Sequence, residues 1–216
     1  MKRLTAIVLG MMIACSALWA QDATKKLTLY RDFKPATILL TNGQVTRIAL
    51  ANVFLKNAAL LYKRGDNTME AYMRTIKSVK IGEEWFVNID NKLAQLIDSV
   101  GQNRLYCITE LDLDAYSAIL RNNRNITANS FQDMVDGGDQ LSYSTIDLEA
   151  PEDVLLPIIR HYYFLYNGEL VKAHEREISR KLPKAKRHIY KSVMSLSDFS
   201  WVDADCLLKM LKAISE

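Results

Sequence analysis

Short runs of alternating hydrophobic and polar residues fill the first half of the chain, and turn residues separate them. Asn42-Gly43 lies between two such runs and is a strong hairpin signal, because both residues tolerate positive φ. The predicted strands cover residues 37–41, 44–50, 53–62, 68–73, 76–81, 85–89, 93–100 and 105–111. Seven or eight short strands at this spacing predict an antiparallel sandwich or small barrel rather than β-α-β units.

The pattern becomes more mixed after residue 112. Asp114 predicts the N-cap of a short helix through Leu120, and residues 141–148 read as extended. A second hairpin is predicted around Asn167-Gly168, with its strands at residues 158–166 and 169–173. A buried helix that ends in a glycine cap is the alternative for this segment.

The carboxy-terminal end has helical periodicity. Pro183 suits a first helical position, and a stripe of apolar residues recurs after it at every fourth position. Asp203 predicts the cap of a last helix. The apolar residues of the two predicted helices are Ala185, Ile189 and Val193 in the first, and Leu207, Leu208, Leu211 and Ile214 in the second. The predicted fold class is therefore α+β, with a β-rich domain over residues 21–112 and a mixed, mainly helical part over residues 113–216.

The first twenty residues have the charged, apolar and small-residue order of a signal peptide. Lys2 and Arg3 precede the uncharged run 4–19, and Ala20 ends it, which predicts cleavage after Ala20 and a periplasmic or extracellular protein. The alternative is a lipobox ending at Cys15, which would then carry a lipid anchor. After cleavage at Ala20, no later stretch is long and apolar enough to predict a transmembrane helix.

The net charge and the cysteines bear on which partners and which covalent bonds to expect. The whole chain has a formal charge of +3, and removal of Lys2 and Arg3 leaves +1, so no general affinity for polyanions follows from the net charge. Of the three cysteines, Cys107 and Cys206 lie in the mature chain. They predict either one disulfide or two separately buried thiols, because spacing alone cannot show whether their Cβ atoms meet.

The order of several short segments resembles a group of uncharacterised exported proteins of Gram-negative envelopes. These segments are Thr41-Asn42-Gly43-Gln44, Leu60-Leu61-Tyr62, residues 96–106, Tyr162-Tyr163-Phe164, Asn167-Gly168 and the short basic helices after them. The resemblance covers most of the mature chain. It implies an exported β-rich domain with a small helical tail, and it brings no catalytic residues.

Motifs of the common enzyme classes are missing from the sequence. The histidines are His161, His174 and His188, and the zinc-protease pattern that starts at His174-Glu175 has Ile178 where the second histidine is needed. The sequence contains no G-x-S-x-G elbow, no C-x-x-C pair and no glycine-rich phosphate loop. We therefore predict no catalytic residue, no cofactor and no metal site.

Two groups of acidic residues offer an alternative to this prediction. Glu110, Asp112 and Asp114 alternate and could hold calcium or supply the carboxylates of a glycosidase. The simpler interpretation is a solvated strand edge followed by a helix cap. The acidic loop 133–139 offers a second calcium site, although it is also typical of a flexible connection.

The strongest functional signal is a cluster of basic residues between positions 172 and 191. Eight basic and two acidic residues give this segment a charge of +6. The predicted anion-contact residues are Arg176, Arg180, Lys181, Lys184, Lys186, Arg187 and Lys191. In an envelope their partners would be lipid head groups, lipopolysaccharide or acidic glycans, or another envelope protein, whereas nucleic acid is not expected there. A solvated face of packing helices is the alternative interpretation.

These observations predict a non-enzymatic binding or structural protein of the envelope. One alternative is a glycan-directed hydrolase that uses Glu110, Asp112 or the loop 133–139. The other is a subunit of a surface assembly, which predicts a long unpaired edge strand or a large exposed apolar patch.

Overall fold

The structure is a computed structural model that describes residues 26–122, 150 and 154–215. The strands of this part are β1 (Lys34–Leu40), β2 (Val45–Phe54), β3 (Ala59–Arg64), β4 (Asn67–Glu70), β5 (Ile76–Ile81), β6 (Glu84–Ile89), β7 (Lys92–Val100), β8 (Asn103–Leu111), β9 (Ile158–Tyr166) and β10 (Glu169–Lys172). The helices are α1 (Leu113–Asn122), α2 (Glu175–Lys181), α3 (Arg187–Met194) and α4 (Ala204–Ser215), with 3₁₀ turns at Met73–Thr75 and Lys184–Lys186.

All ten strands belong to one antiparallel sheet in the order β10-β9-β8-β7-β6-β5-β1-β2-β3-β4. The predicted α+β class with an antiparallel β-rich part is confirmed. The sandwich or small barrel is not confirmed, because within the described residues the sheet is open and ends at β10 and β4. The strands β9 and β10 extend the same sheet, so the β-rich part does not end at residue 112.

Both predicted asparagine-glycine hairpins are present. Gly43 has φ 85° between β1 and β2, and the Gly43 N–H donates to the Leu40 carbonyl at 3.0 Å. Asn167 and Gly168 have φ 51° and 81° between β9 and β10, as a tight primed turn requires. The helical alternative for this second segment is therefore wrong.

One predicted strand, residues 53–62, is divided in two by a turn at residues 55–58. β2 ends at Phe54 and β3 begins at Ala59, and Ala58 has φ 53° between them. The Leu93 N–H donates to the Ala58 carbonyl at 2.8 Å, and the Leu111 N–H donates to the Leu55 carbonyl at 2.7 Å. Leu55 and Ala58 are buried next to β7 and β8, whereas Lys56 and Asn57 between them are half-buried.

The core lies on both sides of β8. Leu105 and Cys107 belong to a cluster with the carboxy-terminal helices, whereas Tyr106 and Ile108 belong to the cluster of β1–β7. The buried side chains of α4 are Cys206, Leu207, Met210, Leu211 and Ile214. Three of the four apolar residues predicted for this helix are therefore fully buried, and Leu208 is half-buried. Their burial holds α2, α3 and α4 against β8–β10.

The N-cap of α1 differs from the prediction, whereas the N-cap of α4 agrees with it. Asp112 caps α1, because its Oδ1 accepts the Ala115 N–H at 2.9 Å. Asp114, the predicted cap, lies inside the first turn of α1. Asp203 caps α4 as predicted, and its Oδ1 accepts the Cys206 N–H at 2.8 Å.

The segment between β10 and α4 contains one helix more than predicted, α2. Pro183 precedes a 3₁₀ turn that leads into α3, and Tyr190 is the buried residue of α3. The predicted stripe is less buried, since Ala185 is exposed and Ile189 and Val193 are half-buried.

Cys107 and Cys206 are free and buried, so the structure contains separate thiols rather than the disulfide.

Several predictions fall on residues that the structure does not describe. They concern the signal peptide with Cys15, the acidic loop 133–139 and the extended segment 141–148. In the described ranges, no helix has the length and apolar character needed to cross a membrane.

Candidate anion-binding surface

The seven predicted anion-contact residues lie on consecutive elements. We call them the basic surface: Arg176, Arg180 and Lys181 in α2, Lys184 and Lys186 in the 3₁₀ turn, and Arg187 and Lys191 in α3. Six of these residues are exposed, and Lys186 is half-buried. The sequence prediction that they share one region is therefore consistent with the fold.

Buried residues on the opposite sides of α2 and α3 keep the basic side chains outside. Ile178 and Leu182 anchor α2 in the core, and Tyr190 anchors α3. The Tyr190 hydroxyl also donates to the Glu175 carbonyl at 3.0 Å, which ties α3 to the first turn of α2. The backbone that carries the basic surface is thus fixed by packing.

Lys184, Arg187 and Lys191 form an exposed stripe along α3 and the turn before it. Their spacing of three and then four residues places them on one side of a helix, at intervals of roughly 5 Å along its axis. Tyr190 occupies the buried side. An extended anionic surface could therefore contact the three cations together.

Two members of the basic surface form ion pairs. Arg180 pairs with Glu177, and this hydrogen bond lowers the pKa of the Glu177 carboxyl. Lys181 Nζ lies 2.6 Å from Glu169 Oε2. Both pairs are exposed, and exposed ion pairs contribute little to stability, so an external anion can compete with them.

The other five members have no ion pair to a carboxylate within residues 26–122 and 154–215. They are Arg176, Lys184, Lys186, Arg187 and Lys191. Asp198, Asp203 and Asp205 are exposed further along the chain, after α3.

The acidic candidates of the sequence do not form a common site. Glu110 accepts from Lys92 Nζ at 2.7 and 2.8 Å, and Asp112 serves as the cap of α1. Asp114 is exposed in the first turn of α1. Among the described residues, no group of three or more histidine, cysteine, aspartate or glutamate side chains could hold a metal ion.

The three histidines lie apart in the fold. His161 is half-buried in β9, and His188 is exposed on α3. The His174 side chain accepts the Arg176 N–H at 3.4 Å and stacks on Trp201, with 6.4 Å between the ring centroids. His174 therefore has a structural role at the start of α2.

Sequence reasoning missed one hydrogen-bonded cluster around Glu84. Its Oε2 accepts the Tyr30 hydroxyl at 2.6 Å and the Gln95 amide at 2.5 Å. Burial and the hydrogen bond to Glu84 raise the pKa of Tyr30. Tyr30 precedes Glu84 by 54 positions, so no local motif could signal the contact. Because the carboxylate is satisfied within the chain, we assign the cluster to the fold.

Comparison with known proteins adds no family to these observations, since no family model, curated protein or solved structure matches the chain.

Proposed function

We propose that this chain is an exported envelope protein that binds anionic envelope components without catalysing a reaction. The ligand class comprises lipid head groups, lipopolysaccharide phosphates and acidic glycans, and the basic surface makes the contact. The observation that carries the proposal is the set of five cations on α2, the 3₁₀ turn and α3 that have no ion pair within the described residues.

The contribution of Lys184, Arg187 and Lys191 to the affinity for an anionic surface can be estimated. A lysine or arginine close to an anionic membrane surface contributes about 1 kcal/mol. Loss of the three cations should therefore weaken binding by roughly 100-fold. Because the side chains are exposed, added salt should screen the interaction and weaken binding of the unmodified protein as well.

Cosedimentation with vesicles tests the proposal. The unmodified protein should sediment with vesicles that contain phosphatidylglycerol and with lipopolysaccharide, and should not sediment with phosphatidylcholine alone. The triple variant Lys184→Ser, Arg187→Ser and Lys191→Ser should lose this binding. A matched control, Arg31→Ser, Arg64→Ser and Arg104→Ser, removes three exposed charges elsewhere and should retain it. Equal binding by the two triple variants would overturn the proposal.

Export is part of the same proposal and rests on the first twenty residues of the sequence. Cleavage after Ala20 predicts a mature protein that begins at Gln21 in the soluble envelope fraction. Lipidation predicts a diacyl or triacyl mass on Cys15 in the membrane fraction. Intact-mass measurement on the fractionated envelope separates the two, and an uncleaved chain in the cytoplasm would contradict both.

The hydrolase alternative has less support. Of its candidate carboxylates, Glu110 is ion-paired with Lys92 and Asp112 caps α1. The acidic loop 133–139 lies outside the described residues.

The assembly alternative predicted a long unpaired strand edge, and β2 has one. β3 pairs with β2 only from Ala51 to Phe54, so the outer edge of residues 45–50 has no strand partner among the described residues. Arg47 lies in the middle of this edge, and the register shifts opposite Pro35. A charge and an irregularity of this kind are devices that prevent edge pairing. We therefore favour anion binding over assembly through β2.

A further inference from the structure

A second polar site lies on other elements than the basic surface, in the middle of the strand order, where β1 ends, β5 begins and β6 ends. It is an open depression of about 460 Å³. Its polar lining consists of Thr41, Arg74, Lys77, Asn88, Asp90 and Asn91. Three chain segments meet there: the turn between β1 and β2, the segment from the 3₁₀ turn at Met73–Thr75 into β5, and the end of β6 with the turn that follows it. Buried Ile76 lies among these groups.

Hydrogen bonds between these segments fix the shape of the depression. The Thr41 N–H donates to the Thr75 carbonyl at 2.9 Å. The Asn88 amide donates to the Met73 carbonyl at 2.6 Å and to the Ile76 carbonyl at 2.8 Å. The backbone on both sides of Arg74 is therefore tied to β1 and β6. A site whose supporting backbone is held in this way loses little entropy when a ligand binds.

The charged groups of the depression are available to a ligand. Arg74, Lys77 and Asp90 are exposed, and none of them forms an ion pair within the described part of the chain. A guanidinium group can donate two parallel hydrogen bonds to a carboxylate or phosphate, and the lysine ammonium group adds a third donor. Asp90 contributes an acceptor at the same site, and Asn91 contributes both a donor and an acceptor.

We propose that this depression binds a small acidic saccharide, that is, one anionic group on a ring that carries hydroxyl groups. Arg74 and Lys77 hold the anionic group, and the side chains of Thr41, Asp90 and Asn91 form hydrogen bonds with the hydroxyls. Asp90 also disfavours a ligand with a second negative charge nearby, because like charges repel at short range. The lining contains no aromatic side chain, so hydrogen bonds rather than stacking select the ligand.

This site is separate from the basic surface, because its cations belong to β5 and the 3₁₀ turn before it, whereas the basic surface belongs to α2, α3 and the turn between them. The open shape and the small number of contacts predict weak binding, with a Kd on the order of 1 mM. The anionic group can be a carboxylate or a phosphate, and the two sources can be compared directly.

A ¹H–¹⁵N NMR titration of the full mature chain tests the inference with glucuronate, glucose 6-phosphate and uncharged glucose. The two acidic saccharides should shift the backbone amides of residues 74–77 and 91, and glucose should bind at least 10-fold more weakly. The preferred acidic saccharide identifies the anion source. No shift at these amides with either acidic saccharide, or equal affinity for glucose, would overturn the inference.

Three variants complete the NMR titration. Arg74→Gln with Lys77→Gln should weaken saccharide binding by at least 10-fold, whereas Lys63→Gln with Arg64→Gln, at exposed positions in β3, should leave it unchanged. The triple variant of Lys184, Arg187 and Lys191 should also retain saccharide binding. If that variant lost saccharide binding while the variant of Arg74 and Lys77 kept it, the ligand would belong to the basic surface and the present inference would be wrong.

Discussion

Lys92 and Glu110 form an ion pair between β7 and β8, in which Lys92 Nζ lies 2.7 and 2.8 Å from the two carboxylate oxygens of Glu110. The Glu110 side chain is 11% exposed and that of Lys92 is 42% exposed. The carboxylate is therefore largely removed from water, and its lysine partner compensates for the lost hydration.

Removal of the lysine should destabilise the fold more than removal of the pair. Lys92→Met leaves the Glu110 carboxylate without its cation and should lower the free energy of unfolding by about 1–2 kcal/mol, less than for a fully buried pair because Lys92 is partly exposed. The double variant Lys92→Met with Glu110→Leu should recover most of this loss. Urea unfolding measures the stability of both variants. A double variant that is no more stable than Lys92→Met would show that the unpaired Glu110 carboxylate is not the cause of the loss.

An exposed ion pair provides the matched comparison. Lys80 Nζ lies 3.0 Å from Glu83 Oε2, and the Glu83 side chain is 94% exposed. Glu83→Gln should change the free energy of unfolding by about 0.5 kcal/mol or less, because water hydrates the Glu83 carboxylate almost completely, although the Lys80 side chain is only 33% exposed.

The cap of α1 predicts different effects for two neighbouring aspartates. Asp112→Ala removes the acceptor of the Ala115 N–H and should cost about 1 kcal/mol of stability. Asp114→Ala removes only a charge near the helix N-terminus and should cost a few tenths of a kcal/mol, about 0.3. Thermal unfolding of the two variants ranks them, and an equal or reversed order would show that Asp112 is not the functional cap.

Local signals in the sequence were sufficient to predict the two asparagine-glycine hairpins and the last helix. Asn167 and Gly168 determine a tight turn by their own backbone preferences, and Asp203 caps α4 through a contact three residues away. The turn between β2 and β3 was missed, because its polar residues Lys56 and Asn57 are flanked by the buried Leu55 and Ala58. Ala58 is buried by a contact with Leu93, and such a contact leaves no mark on the local pattern.

The same distinction applies to the candidate sites. The basic surface was predictable because its residues are close together in sequence and its helices expose one side to solvent. The ion pair of Lys181 with Glu169 was not predictable from the sequence, since it depends on how α2 is placed after β10. The depression of Arg74 and Asn91 was also not predictable, because the sheet order brings its three segments together.

The thiols of Cys107 and Cys206 should react only after unfolding. Cys107 and Cys206 are buried and free, and burial raises the pKa of both thiols, which lowers the thiolate fraction at neutral pH. Iodoacetamide should label neither in the native protein and both in denaturant without reductant, as read by mass spectrometry. Recovery of an unlabelled, oxidised pair from denaturant would show that a disulfide forms after all.

Buried tyrosines predict a loss of stability at alkaline pH. Burial raises the pKa of Tyr162 and Tyr190 to about 12, above the value of about 10 expected in the unfolded chain. Below pH of about 10 the hydroxyls are protonated in both states, so their contribution to stability is fully present there. Above it the unfolded chain releases protons first, and stability falls as the pH rises towards the native pKa values. The urea midpoint should therefore stay constant near neutral pH and decrease between about pH 10 and 12.

Tyr190→Phe tests this explanation of the alkaline loss, because it keeps the ring but removes the hydroxyl that donates to the Glu175 carbonyl. The variant should be about 1 kcal/mol less stable at neutral pH, and its midpoint should decrease less steeply above pH of about 10. Tyr72→Phe, at a side chain that is 54% exposed, is the control and should leave the slope unchanged. If the slope of Tyr190→Phe matched that of the unmodified protein, ionisation of Tyr190 would not contribute to the alkaline loss, and the remaining buried tyrosines would have to account for it.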